Sequence, residues 1–414
     1  MPRWLYFLLV FAVLTPLLNL LHIPPLVLFI VAALGIIPLA ALIGQAVEDV
    51  AEHTGERIGG LLFATFGNAT ELIIGIFALS RGLVSVVSAS IIGSILGNAL
   101  LVLGVAVCVG GFKHGRLTFE ARPASQYASL LALSVAALAL PTVAELLASR
   151  TNQPQIVERG ILLSDFIAVL LLVGYIASIL FSVFRVGDKD GQEELEPVLG
   201  ARSATAITRL LALREHLAKS ATPGKSGILR EVDAIIAGQG AQQEAIVVPQ
   251  GAPTKEAEQL HKPPLWRGLA LLTVATAGVA VLSEILVGSI EPVTEALHWN
   301  AAFVGLIFVP LIGGLPEYFN TISMALDKRM GMVLAASAGS SIQIALLMAP
   351  ILVLVSLLMP KRLSLVFSIV ELAVLALATF LFSEITRDGE LVWLEGLLLI
   401  LLYAMMGGTV FLFG

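Results

Sequence analysis

Two short acidic segments lie inside otherwise apolar stretches of the chain, one in each half. The first is Gly67-Asn68-Ala69-Thr70-Glu71, and the second is Gly313-Gly314-Leu315-Pro316-Glu317. A carboxylate near the middle of a bilayer is costly, so it usually marks a binding or transport site. Two such carboxylates in duplicated surroundings predict a cation site between the repeats of a membrane transporter.

A second polar segment follows each acidic segment at the same distance. Gly93-Ser94-Ile95-Leu96-Gly97-Asn98 follows Glu71, and Gly339-Ser340-Ser341-Ile342-Gln343 follows Glu317. Carboxylate, amide and hydroxyl oxygens, with backbone carbonyls at the glycine interruptions, form a hard ligand set that suits Ca²⁺. Small-residue helix packing explains Ser94 or Ser340 equally well when either is taken alone. The candidate metal-site residues are Glu71, Glu317, Asn68, Asn98, Ser94, Gln343, Ser340, Gly67 and Gly313.

The composition indicates an integral membrane protein. Hydrophobic residues make up 57% of the 414 residues and charged residues 13%, whereas soluble domains carry about 25% charged residues. The net charge of −6 gives no indication of a nucleic-acid partner. The single cysteine, Cys108, cannot form an intramolecular disulfide, and the histidines lack zinc-type spacing. We therefore expect no enzyme activity and no cofactor.

Apolar runs long enough to cross about 30 Å of hydrocarbon predict an all-α polytopic protein with about eleven transmembrane helices. One N-terminal helix (residues 1–24) precedes two five-helix repeats, 25–185 and 264–414, which a hydrophilic linker, 186–263, separates. Because each repeat has an odd number of helices, the second repeat is expected to be inverted relative to the first. The predicted spans are 4–21, 25–47, 57–80, 84–111, 123–149, 160–185, 265–290, 299–326, 331–358, 363–385 and 391–413.

Basic residues outside the linker favour one side of the predicted topology. Ten Lys or Arg residues lie on the side of the N-terminus and the linker, against five on the other side. The positive-inside rule places the N-terminus and the linker in the cytoplasm. In a prokaryote the membrane would be the inner, or plasma, membrane. The sequence leaves homo-oligomer formation open, and it places Glu371 near the middle of a span without an evident partner.

The polar segments resemble the Ca²⁺/cation antiporter superfamily and, within it, the cation/proton exchanger (CAX) family. The matching stretches are Gly67-Asn68-Ala69-Thr70-Glu71-Leu72-Ile73, Gly93 to Gly104, and Asp388 to Gly396 followed by Tyr403. The resemblance covers nearly all of the spans. It implies a Ca²⁺/H⁺ antiporter that exports Ca²⁺, with other divalent cations as further candidates, through alternating access.

The second acidic segment departs from the family pattern Gly-Asn-Ala-(Ala/Pro)-Glu-His. Gly314 stands where the family has Asn, and Tyr318 stands where it has His. Leu315-Pro316-Glu317 is closer to the Na⁺/Ca²⁺ branch, so a Na⁺/Ca²⁺ exchanger on the same scaffold is the alternative function. A channel and a membrane enzyme are the two other classes considered.

A single shared site gives the simplest coupling mechanism. Glu71 and Glu317 can hold Ca²⁺ when they are ionised, or protons when they are neutral, but not both at once. Competition between the two ligands would then couple inward proton flow to outward Ca²⁺ movement. Alternating access would come from the inverted repeats moving around the site.

Overall fold

The computed structural model describes residues 5–54, 62, 65–150, 160–182 and 264–413. The chain divides into two units: Met1–Val183 together with Pro264–Gly414, and Phe184–Pro263. The predicted linker, 186–263, lies outside the described residues, so its boundaries and its cytoplasmic position stay predictions.

The described residues of the first unit form helices and one short strand pair. Its strands β1 (Leu117–Thr118) and β2 (Glu390–Leu391) pair antiparallel. The helices are α1 (Leu5–Leu20), α2 (Pro25–Thr54), α3 (Ala69–Ser80), α4 (Val84–His114), α5 (Ala121–Arg150), α6 (Gly160–Ser182), α7 (Leu265–Gly288), α8 (Ile290–Leu297), α9 (Ala301–Gly313), α10 (Leu315–Leu326), α11 (Met330–Leu358), α12 (Ile369–Ile385) and α13 (Trp393–Phe413).

The helix lengths confirm an all-α polytopic fold. Seven helical segments of the described residues are long and apolar enough to cross a membrane, with α7 and α8 counted together. Helices α9 and α10 form an eighth candidate, bent by 57° between Gly313 and Leu315. Helices α1 and α3 are apolar but shorter, and α12 has 17 residues. The expected number of eleven spans stays a prediction.

Several boundaries differ from the predicted ones, and helix α2, for example, continues to Thr54 rather than ending near residue 47. Residues 290–297, expected at the end of a span and in the loop after it, form the separate helix α8, which ends at His298 in a left-handed conformation. Helix α12 begins at Ile369 rather than near residue 363, because Ser368 caps it there. Side chains that cap helices are poorly visible in an apolar run, where hydropathy alone sets the predicted limits.

The duplication predicted from the polar segments recurs in the helix boundaries. Helix α3 covers residues 69–80 and α10 covers 315–326, so both ends differ by 246 positions. The same offset relates the start of α4 at Val84 to the start of α11 at Met330. It also relates Gly82 (φ 72°) to Lys328 (φ 60°), the two left-handed residues in the turns between these helices.

The first helices of the two repeats pack antiparallel, as inversion requires. Gly35 of α2 lies against Leu282 of α7, Gly278 lies against Leu39, and Gly268 lies against Val50. Residue numbers increase along α2 in the direction in which they decrease along α7, so the two helices are antiparallel. The glycines allow the two backbones to approach closely, which is typical of helix pairs in a bilayer.

Helix α4 forms the centre of the bundle. Its most apolar window is 89% buried, against 28–61% for the other long apolar segments. It crosses α9 at two glycines, since Gly93 faces the backbone of Leu306 and Gly305 faces the backbone of Val86. A side chain at either glycine would overlap with a carbonyl of the other helix.

This crossing predicts opposite effects for two glycines that the repeat relates. We expect Gly93→Ala to destabilise the protein by about 1–3 kcal/mol, because the added methyl group must displace backbone. Gly339→Ala should be neutral or slightly stabilising, because a Cβ there has open space around it and alanine favours helix. Thermal unfolding of the purified protein in detergent measures both, and equal melting temperatures would contradict the close crossing.

Candidate cation-binding site

The two acidic segments place their carboxylates at the beginnings of two short helices. Asn68 is the N-cap of α3, and Glu71 is the third residue of that helix. Gly314 is the N-cap of α10, and Glu317 is likewise its third residue. The predicted interruption of the second span is the 57° bend at this cap. Backbone N–H groups at a helix N-terminus carry partial positive charge, so each carboxylate lies where a negative charge is stabilised.

Helix α4 carries polar groups to the same place. Its residues Gly97–Val102 form a π-helical turn, a distortion that is frequent at functional sites. Ser94 precedes this turn and Asn98 lies within it, and both are buried. Small residues around them allow α9 to approach.

A narrow cavity joins these elements. Its lining combines one carboxylate with neutral polar side chains, glycines and a proline. The lining residues are Glu71, Ser94, Gly97, Asn98, Pro310, Gly314 and Tyr318. The lining comes from both repeats. Residues of both repeats thus meet at this cavity, and the cation site stays a prediction.

Several oxygens of the site are shielded from solvent and have no hydrogen-bond partner among the described residues. They are Glu71 Oε2, Glu317 Oε2, Asn68 Oδ1 and Ser94 Oγ. Buried polar atoms in proteins are nearly always paired, because an unpaired one loses its hydration without compensation. Four such acceptor oxygens in one region indicate a ligand that is itself electropositive.

The carboxylate of the first repeat lies against the backbone of the second acidic segment. Glu71 is 2% exposed, and a Cβ at Gly313 would be 2.8 Å from its Cδ. Glu317 is half-buried at the matching position of α10. Two carboxylates in an apolar bundle are stable only if a cation or protons neutralise them.

The amide side chains link the repeats as well. Asn68 Nδ2 donates a hydrogen bond of 3.0 Å to Oε1 of Gln343, which leaves Asn68 Oδ1 directed elsewhere. Gln343 is the last residue of α11 before a second π-helical turn, Ile344–Met348. Asn68 and Gln343, predicted from separate segments, thus form one cross-repeat pair.

Three of the nine predicted residues line the cavity: Glu71, Ser94 and Asn98. Asn68, Gln343, Gly313 and Glu317 lie next to it in sequence or by contact rather than in its lining, and the remaining two stand further apart. Gly67 lies in the turn before α3 and is exposed, and Ser340 is half-buried on α11. Neither lines the cavity. The cavity contains Pro310, which sequence reasoning missed; a proline one turn before Gly314 in an apolar helix was the available signal. The ligand roles of all nine predicted residues stay predictions.

The prediction for Glu371 was wrong. This residue lies in the first turn of α12, where Ser368 N–H donates to Glu371 Oε2 at 2.8 Å and Glu371 N–H donates to Ser368 Oγ at 3.1 Å. Such a reciprocal capping box satisfies two N–H groups at a helix start. Glu371 therefore has a structural partner and a terminal position.

The site has few charged groups and no soft ligands. Among the described residues, no three His, Cys, Asp or Glu side chains cluster as metal ligands would. Two carboxylates with amide, hydroxyl and carbonyl oxygens remain. Such a set favours a hard cation that accepts irregular oxygen coordination, and Ca²⁺ meets this description better than Zn²⁺ or Mg²⁺.

Comparison with known proteins agrees with this chemistry. A family model described as sodium/calcium exchanger protein matches residues 24–184 and 267–412. A Ca(2+)/H(+) antiporter of Aphanothece halophytica is 35% identical over 94% of this chain and 90% of its own length. The Ca(2+)/H(+) antiporter ChaA of Bacillus subtilis (strain 168) is 32% identical over 95% of this chain and 94% of its own. The solved structure of native YfkE has a TM-score of 0.71 at 29% identity and 99% coverage of both chains.

Cation binding to this site should stabilise the folded protein. We expect Ca²⁺ to raise the melting temperature of the wild type, by RT ln(1 + [L]/Kd) in free energy. Glu71→Gln should abolish the rise, because the amide keeps the shape and removes the charge. Glu371→Gln is the matched control, since glutamine also serves in a capping box. An equal Ca²⁺-dependent rise in both variants would show that Ca²⁺ binds elsewhere.

Proposed function

Because this chain belongs to the sodium/calcium exchanger protein family, we propose that it is a secondary antiporter that exports Ca²⁺ in exchange for H⁺. The observation that carries this proposal is the pair of carboxylates, Glu71 (buried) and Glu317 (half-buried), each with a shielded oxygen that lacks a partner among the described residues. A bound Ca²⁺ satisfies both when they are ionised, and protons satisfy them when they are neutral. The Ca(2+)/H(+) antiporters among the relatives favour H⁺ as the coupling ion.

The proposed mechanism is competition at one site. Ca²⁺ and protons cannot occupy the same carboxylate oxygens together, so each turnover exchanges one ligand for the other. Asn68, Ser94 and Asn98 supply neutral oxygens that complete the coordination of the transported Ca²⁺. The carboxylate pair stays costly without either ligand, which disfavours crossing of the unloaded protein and so limits leak.

The inverted arrangement supports alternating access. Helices α2 and α7 run antiparallel and touch through Gly35, Gly278 and Gly268, and α2 also packs on α9 and α10 beside the second acidic segment. Movement of α2 and α7 relative to the central α4 would open the site to one side and then to the other.

The proposed location is the plasma membrane, or inner membrane, of a prokaryotic cell. The ten-to-five distribution of Lys and Arg places the N-terminus and the linker in the cytoplasm. In this orientation Ca²⁺ leaves the cytoplasm while protons enter. Other divalent cations of similar size are candidate substrates of the same site.

A Na⁺/Ca²⁺ exchanger is the second candidate. The observation that favours it is Leu315-Pro316-Glu317, with Gly314 rather than Asn at the cap of α10. The absent amide removes one neutral oxygen that the other family branch would supply. Imposed gradients of H⁺ and of Na⁺ separate the two functions directly.

Flux measurements in proteoliposomes test the proposed site. An imposed pH gradient should drive Ca²⁺ uptake by the wild type, and an imposed Na⁺ gradient should not. Glu71→Gln and Glu317→Gln should each reduce uptake to the level of protein-free vesicles, because one carboxylate cannot exchange Ca²⁺ for protons alone. Glu371→Gln should retain uptake within about twofold, since the capping box tolerates glutamine. Substantial flux in both site variants would refute the assignment, and uptake driven only by Na⁺ would establish the second candidate.

Competition also sets the sign of the pH dependence. Ligand carboxylates must be deprotonated to bind a metal ion, so acid on the Ca²⁺ side opposes Ca²⁺ binding. We expect the apparent KM for Ca²⁺ to rise by up to about tenfold per unit fall in pH for each proton displaced. The maximal rate at saturating Ca²⁺ should be unaffected by pH on that side. A KM that is constant between pH 6 and 8, a range of about two units, would contradict competition at a shared site.

A further inference from the structure

We propose that Ser337 is a positioning residue for Ca²⁺ binding, acting through the backbone of Asn98 from the opposite repeat. The inference rests on the proposed function, because it assumes that Asn98 contributes to the Ca²⁺ site. Ser337 lies on α11, has no place in either acidic segment, and does not line the cavity.

The contact is short and fully enclosed. Ser337 is 1% exposed, and its hydroxyl donates to the Asn98 carbonyl oxygen at 2.5 Å. One turn further along α11, Ser341 is fully buried and donates to the Ile95 carbonyl at 3.2 Å and to the Ser337 carbonyl at 3.0 Å. Two hydroxyls of α11 thus bind the backbone of α4 where it changes pitch.

The change of pitch explains why the bond matters. Asn98 lies in the π-helical turn Gly97–Val102, and its carbonyl accepts the N–H of Leu103, five residues on. A π-helical turn is a less stable backbone form than the α-helix around it. A hydroxyl that donates to this carbonyl stabilises the turn and therefore the direction in which the Asn98 side chain enters the cavity.

Helix α11 contacts both amide residues of the first-repeat site. Gln343 accepts from Asn68 Nδ2 at 3.0 Å, and Ser337 donates to the Asn98 carbonyl. Asn68 precedes Glu71 on α3, and Asn98 lines the cavity with Glu71. Helix α11 therefore holds two neutral residues of the first repeat beside the same carboxylate.

The repeat-related positions of α4 carry no hydroxyl that could donate to α11 in the same way. At the repeat offset of 246, Ser337 corresponds to Ile91 and Ser341 to Ile95, both buried isoleucines of α4. These side chains cannot donate to the π-helical turn of α11. The hydroxyl links therefore distinguish the two halves of the site, and they act only on the first-repeat half.

The Ser337 hydroxyl does not act within its own helix, because its acceptor is the Asn98 carbonyl of α4. A buried serine in a helix commonly donates to a carbonyl of its own preceding turn, as Ser90 does to Val87 at 2.8 Å. Ser337 donates across to another helix instead. Ser90, on α4 and equally buried at 2% exposure, is thus a matched control for loss of a buried hydroxyl.

The test is the concentration dependence of H⁺-driven Ca²⁺ uptake in proteoliposomes. We expect Ser337→Ala to raise the KM for Ca²⁺ about threefold to tenfold with a maximal rate within about twofold of wild type, in line with loss of one buried hydrogen bond. Ser90→Ala should leave both constants unchanged. Ser337→Thr, which keeps the hydroxyl, should restore much of the affinity. An unchanged KM in Ser337→Ala would overturn the inference.

A double-variant cycle separates positioning from a general loss of stability. If Ser337 acts through Asn98, then Ser337→Ala should have little further effect on KM in an Asn98→Ala background. Additive effects would mean that Ser337 acts by another route and would overturn the inference. If Asn98→Ala leaves too little uptake to measure, Ca²⁺-dependent thermal stabilisation of the purified variants gives the same comparison of affinities.

A second substitution and a second readout keep the result interpretable. Ser337→Cys preserves volume with a weaker donor and should give an intermediate KM, so it replaces the alanine variant if that variant does not fold. Failure of the proposed function has a different signature, because Glu71→Gln would then retain Ca²⁺ uptake. Loss of uptake in Glu71→Gln together with a normal KM in Ser337→Ala would refute only the present inference.

Discussion

The placement of two carboxylates in an apolar helical bundle is the constraint on which the rest of this structure depends. Glu71 is almost completely enclosed, and Glu317 is half-buried at the matching position of α10. Such a pair is unstable in hydrocarbon unless helix N-termini, polar side chains and a bound cation or protons compensate for it. The breaks before α3 and at Gly314 provide those N-termini. The glycine crossing of α4 and α9 brings the two repeats into close contact.

The fold satisfies this constraint twice with related but unequal sequences. Helices α3 and α10 have equal lengths and equally placed carboxylates, and left-handed residues follow both at the same position. The polar partners differ, because α11 donates hydroxyl hydrogen bonds to the first repeat and accepts an amide hydrogen bond from it, through residues whose counterparts in α4 are apolar or glycine. Inverted repeats thus provide the symmetric framework, while side chains at non-equivalent positions decide how each half of the site is held.

Competition at shared oxygens links this geometry to transport. The same absence of protein partners that makes a cation necessary in the ionised state makes protons necessary in the neutral state. Coupling then needs no separate proton pathway or cofactor in the proposal. Tyr318, which stands where related sequences have histidine, lines the cavity beside Glu71. A phenol, unlike the imidazole of histidine, cannot carry a positive charge. Neutralisation of the carboxylates therefore depends on the transported ions.

The sequence by itself determined the membrane class, the duplication and the two carboxylates, because hydropathy, spacing and charges in apolar runs are local properties of the chain. It also pointed to Asn68, Ser94 and Asn98, which follow from polar types at helical spacing. Only the tertiary structure decided which candidates meet. It brought Asn68 to Gln343, separated Gly67 and Ser340 from the cavity, and moved Glu371 to a helix cap. Ser337 and Pro310 join the site solely because inverted repeats place distant residues together, and a contact between helices leaves no periodic signal in either one.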